Sequence, residues 1–141
     1  MRHFAQSARG RRNGQLSQAD WPDLGPCEHG IWLMGKIISP SGTQIVATRN
    51  LTGIGVELGG AVHVVGGLDV RANVVGLASD GTGVIRLFSP PDGPFPGSAV
   101  TGNTTVDVDL TFGTRMRVAG PVVIGKVSCD TTVLTDGVAC P

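Results

Sequence analysis

Short apolar runs broken by glycine-bearing turns fill the chain from Ile31 onward, and this rhythm restricts it to short strands. Ser39-Pro40-Ser41-Gly42, Gly59-Gly60, Gly66-Gly67, Asp80-Gly81, Gly113-Thr114 and Asp136-Gly137 are each compatible with a change of direction. Glycine reaches positive φ at little cost, and proline and aspartate preset turn geometry. The 22 glycines stand among frequent valine and threonine, which suit a pleated surface, while helix formers are scarce. The 141 residues match one domain able to bury a core of its own.

The pattern predicts strands over 31–39, 44–49, 53–58, 61–65, 68–77, 82–88, 104–112, 115–119, 122–128 and 132–134. Roughly eight to ten short strands, mainly antiparallel, make the expected fold an all-β sandwich or barrel. Val106, Val108, Leu110 and Phe112 alternate with Asp107, Asp109 and Thr111, giving one core face and one wet face. Met116 and Val118 alternate with Arg115 and Arg117, so a hairpin is expected here. A three-residue loop at 113–115 would set Phe112 opposite Met116 and Leu110 opposite Val118. The unbroken apolar runs Val62-His63-Val64-Val65 and Asn73-Val74-Val75-Gly76-Leu77 read as strands buried on both sides, central or at a subunit contact. Val64-Val65-Gly66-Gly67-Leu68 and Val74-Val75-Gly76-Leu77 are weakly alike, but two copies fall short of a repeat array. A β-solenoid is therefore the minor alternative.

Residues 1–30 differ from the remainder. They are polar and basic to about Gln18, and Trp21-Pro22-Asp23-Leu24-Gly25-Pro26 then excludes helix or central strand. An extended arm over 1–30 and a β domain over 31–141 are expected. The net charge is zero, with 11 basic and 11 acidic residues, but Arg2, Arg9, Arg11 and Arg12 stand without an acid in residues 1–19. Seven basic against 11 acidic residues remain for the rest, a balance of −4. Nucleic acid is thus an expected partner only through the basic arm. Charged residues make up 16% and only Lys36 and Lys126 are lysines, so part of the surface is expected to lie under other protein subunits, of the same kind or of a capsid.

The segment 89–98 holds four prolines and interrupts the strands, and Phe95 lies near its tip. Loops of this kind carry contacts. Phe4, Arg9, Arg11, Arg12, Trp21 and Phe95 are the expected partner-contact residues.

Signs of chemistry are few. His3, His29 and His63 are the only histidines, no Gly-x-Ser-x-Gly elbow occurs, and Gly53-Ile54-Gly55 precedes strand where a dinucleotide site requires helix. Asp107 and Asp109 share a predicted exposed face, where carboxylates two residues apart are ordinarily solvated or paired with arginine. The odd set Cys27, Cys129 and Cys140 predicts free buried thiols, with a Cys129–Cys140 bridge as the alternative in an oxidising setting. Cys27 and His29 with Cys129 and Cys140 are chemically suited to zinc, at a spacing poor for a zinc site. Neither cofactor nor metal nor enzymatic activity is expected.

No run reaches the ~18 apolar residues of a membrane helix, and no apolar stretch follows the basic start as in a signal peptide. Synthesis in the cytoplasm, incorporation into a virion and a homo-oligomeric state are the expectations. The expected role is structural: a phage capsid decoration, minor capsid or head-to-tail joining subunit. The alternative is a module binding carbohydrate or peptide through Trp21, Trp32 and Phe95.

Overall fold

A computed structural model describes residues 16–17, 27–39, 43–92 and 98–141. The all-β expectation holds, but the sandwich or barrel does not: the chain is a parallel β-solenoid of about four turns. Each coil lays down three strands in succession. They are β1 (Leu16–Ser17), β2 (Cys27–Leu33) and β3 (Lys36–Ser39), then β4 (Gln44–Thr48), β5 (Asn50–Glu57) and β6 (Ala61–Val65). The third coil holds β7 (Gly67–Arg71), β8 (Val75–Asp80) and β9 (Val84–Phe88), the fourth β10 (Ser98–Val100), β11 (Val106–Leu110) and β12 (Arg115–Ala119). Short strands β13 (Val122–Ile124), β14 (Val127–Cys129) and β15 (Leu134–Asp136) end it.

Strands pair with the coils before and after them, never with their neighbours in sequence. The first sheet runs β1-β4-β7-β10-β13, the second β2-β5-β8-β11-β14 and the third β3-β6-β9-β12-β15, so three flat faces meet at three corners. The expected hairpin between β11 and β12 is therefore absent. β11 lies in the second sheet between β8 and β14, and β12 in the third between β9 and β15. Predicted strands 31–39, 68–77 and 122–128 each proved to be two, bent at a corner onto different sheets.

Parallel in-register stacking turns the period-two pattern of each strand into columns along the solenoid axis. Ile31, Ile54, Leu77, Val108 and Val127 form one inward column of the second sheet. Ile37, Val62, Ile85 and Met116 form one of the third. Ala47, Val70, Val100 and Ile124 form one of the first. Ile54, Leu77, Ile85, Val70, Val100 and Val108 are sealed from solvent. Val62 and Val64 face this core while His63 and Val65, which alternate with them, are only partly buried, so that run is not buried on both sides.

The corner between second and third sheets uses paired left-handed residues: Leu58 and Gly59, Gly81 and Thr82, Phe112 and Gly113 all have positive φ. Two such residues in succession are the chemistry of a hairpin turn, and Gly60 N–H does bond back to Glu57 C=O. The chain leaves each turn for a different sheet because its ladder partners are the adjacent coils. Gly59 N–H bonds to Gly81 C=O and Thr82 N–H to Phe112 C=O, stitching one corner to the next.

Candidate assembly surface

At the corner between the first and second sheets, three asparagines stack. Asn50 presents its N–H and side-chain amide to Asn73 Oδ1 at 3.0 and 3.1 Å, 23 residues on. Asn73 does the same to Asn103 Oδ1 at 3.1 and 3.0 Å, across 30 residues. Each side-chain amide also donates to a backbone carbonyl, Thr48 and Arg71 among them. The residue before each asparagine, Arg49, Ala72 or Gly102, is left-handed and turns the corner. Glycines run beside this spine: a Cβ on Gly53 would stand 2.6 Å from Gly76 O and 2.8 Å from Asn73 Nδ2.

Asp107 ends the spine. Its Oδ1 accepts from Asn103 N–H and Nδ2, and its Oδ2 from Lys126 N–H at 2.7 Å. The expectation that Asp107 shares a wet face with Asp109 is overturned, since Asp107 is buried and Asp109 half-buried. Burial by itself would raise the Asp107 carboxyl. Hydrogen bonds from the Asn103 backbone and side chain and from the Lys126 backbone, with the Lys126 charge, outweigh it and hold the group below the ordinary carboxylate range.

The last coil closes the core. Val133 and Val138 pack against it, and a Cys129–Cys140 disulfide with Cα atoms 5.7 Å apart ties the tail to β14. The expectation of free thiols therefore fails for this pair: the chain returns from β15 to lie beside β14, which brings the two sulfurs together. The zinc set falls with it. Cys27 and His29 lie on β2 and Cys129 on β14, the two edges of one sheet, about 19 Å apart at ~4.8 Å per strand. At this end the turn of Phe112 and Gly113 meets side chains where earlier turns meet carbonyls. Phe112 N–H donates to Asp130 Oδ2 and Gly113 N–H to Thr132 Oγ1. The Thr132 hydroxyl, then the Phe112 and Thr132 N–H groups, hold the Asp130 carboxyl below its ordinary range against a small opposing effect of burial.

Among the described residues, the three most exposed large apolar side chains lie along the corner between second and third sheets. Leu58 is 76% exposed, Phe112 65% and Met34 64%. Leu58 and Phe112 are left-handed as well, a conformation that disfavours a side chain by about 1–2 kcal/mol. Gly81 takes the intervening level, so the two side chains stand about 10 Å apart along the axis, two strand spacings. Leu134 at the adjoining rim of the third sheet is 62% exposed.

Phe4, Arg9, Arg11, Arg12, Trp21 and Phe95, the expected partner contacts, all lie outside the described residues. The apolar corner was not anticipated, nor was the asparagine spine. Asn50-x-x-Gly53 and Asn73-x-x-Gly76, 23 residues apart, were the available signal for the spine. No family model, curated protein or solved structure matches the chain.

Proposed function

We propose that this parallel β-solenoid is a structural subunit of a repeating assembly, with a virion, as decoration, minor capsid or joining protein, as its setting. The observation that carries this reading is the apolar corner. Met34, Leu58 and Phe112 are held toward solvent on a scaffold whose ladders run coil to coil. Local conformation favours glycine at two of these positions, so side chains kept there serve something outside the coil's own folding. Exposed apolar residues aligned along one corner of a rigid frame suit a protein–protein contact. The low charge of the chain and its arginine-bearing first 19 residues support the same reading.

The test is to purify the untagged protein at native level from the organism that makes it and to size and image the native complex. The expected result is a complex of many subunits or a particle carrying the protein at repeated positions. A native chain recovered on its own at all stages would overturn the proposal.

A further inference from the structure

We infer that the partner at the apolar corner is a second copy of this chain, with the second sheet of one copy lying against the third sheet of the next. This inference rests on the assembly reading and names its contact. It is carried by a division of charge between the two faces that flank the corner.

The second sheet and its margin bear Glu57, Asp80, Asp109 and Asp130. The third bears Lys36, Arg86, Arg115 and Arg117, with the half-buried His63 beside them and, among the described residues, one acid, Asp136 on its end strand. Like charges stand in register on each face. Glu57 pairs with Asp80 on adjacent strands of the second sheet, and Arg86 with Arg117 on the third. In-register like charges are unfavourable on an isolated sheet. Among the described residues the only ion pair on these two faces joins Arg117 to Asp136 at 3.0 Å, leaving Glu57, Asp80, Asp109, Arg86 and Arg115 unpaired. Apart from the Arg117–Asp136 pair, each face therefore lacks the counter-charge that the other carries.

The levels also match. Asp80 and Arg86 belong to the third coil, Asp109 and Arg115 to the fourth. Rotation about an axis parallel to the solenoid keeps every coil at the height of the same coil in its neighbour. Asp80 of one copy then meets Arg86 of the next, and Asp109 meets Arg115 and Arg117. Because the two faces join at the corner of Met34, Leu58 and Phe112, this rotation puts that corner at the centre of the ring. The apolar side chains meet there while the charged faces close around them. A contact between two different faces of identical copies is heterologous, and it ends in a closed ring when the angle between faces allows.

The test uses the full chain and sedimentation, with circular dichroism to check that each variant folds. Wild type should form a multi-copy species that weakens as salt rises. Asp80→Arg with Asp109→Arg, or Arg86→Asp with Arg115→Asp, should each weaken self-association at least about tenfold. The four substitutions in one chain should restore it, and so should mixing the two reversed variants one to one. Phe112→Gly, which removes the apolar side chain and relieves the backbone, should weaken association without lowering the melting temperature. Wild-type oligomers indifferent to both reversals, or reversals that neither recombination rescues, would overturn the inference and leave the assembly reading standing. A pure wild-type chain that stays monomeric would overturn it too, and the native complex then decides whether another subunit takes its place.

Discussion

Asn103 directs both its backbone N–H and its side-chain amide at one carboxylate oxygen of Asp107, at 2.9 and 2.8 Å. Asp107 thereby fills, from within the same coil, the acceptor position that the next coil's asparagine fills for Asn50 and Asn73. Asp107→Ala leaves the buried donors of Asn103 and the part-buried N–H of Lys126 without that acceptor, and should cost about 3 kcal/mol in urea denaturation at neutral pH. Asp107→Asn keeps one acceptor oxygen and should cost about half as much. Equal stability of the alanine variant and wild type would contradict this account of the spine.

Acid should loosen the fold through the same carboxylate. A carboxyl held below its ordinary value when folded contributes stability that is present above the unfolded value, near 3.8 for Asp107, and is lost as pH falls through the lowered folded value. Asp130 acts in the same direction. Stability should be flat from pH 7 to about 5 and fall below about 4, and Asp107→Asn should flatten that fall. Urea midpoints measured across pH for both proteins check it.

Two glycines should respond to alanine in different ways. Gly53→Ala drives a methyl to 2.6 Å from the Gly76 carbonyl, against backbone that the ladder holds in place, and should cost about 3 kcal/mol. Gly59→Ala meets nothing nearer than 3.9 Å and suffers only from its φ of +76°, so about 1 kcal/mol is expected. Thermal melts of the two variants give the comparison.

Reduction of the Cys129–Cys140 bridge should destabilise the protein unevenly. Freeing a loop of 11 residues removes roughly 2–3 kcal/mol in the chain-entropy account. In a stack where each coil touches only its neighbours, that loss stays near the end. Hydrogen exchange should quicken over 127–141 after reduction and hardly change over 44–88. Uniform quickening would show that the coils melt as one.

Most strands were legible in the sequence, though β1 and β10 fell outside every predicted range, and the partners of the strands were not legible. Alternation along Val106–Leu110 and Arg115–Ala119 marked both as strands, but alternation describes a strand's two faces and is silent on what lies at its edges. Phe112 and Gly113 make a turn whose residue types suit a hairpin, and only the surrounding repeat decides that β12 departs to another sheet. That repeat was masked by its own conservatism: the columns accept Ile31, Ile54, Leu77 and Val108 interchangeably. Asn50 and Asn73 carried the period openly, yet asparagine beside glycine also reads as an ordinary turn. Phe112 read as a core residue from its alternation with Thr111 and the aspartates, because apolarity alone does not tell an inner position from a corner that faces out.

The step from Asn50 to Asn73 is 23 residues and that from Asn73 to Asn103 is 30, yet the same two hydrogen bonds are made in both. Register on all three faces is thus independent of the amount of chain spent between β9 and β10. That corner is a natural insertion point, where an epitope, an affinity tag or a second folded domain can be spliced without disturbing the coils on either side.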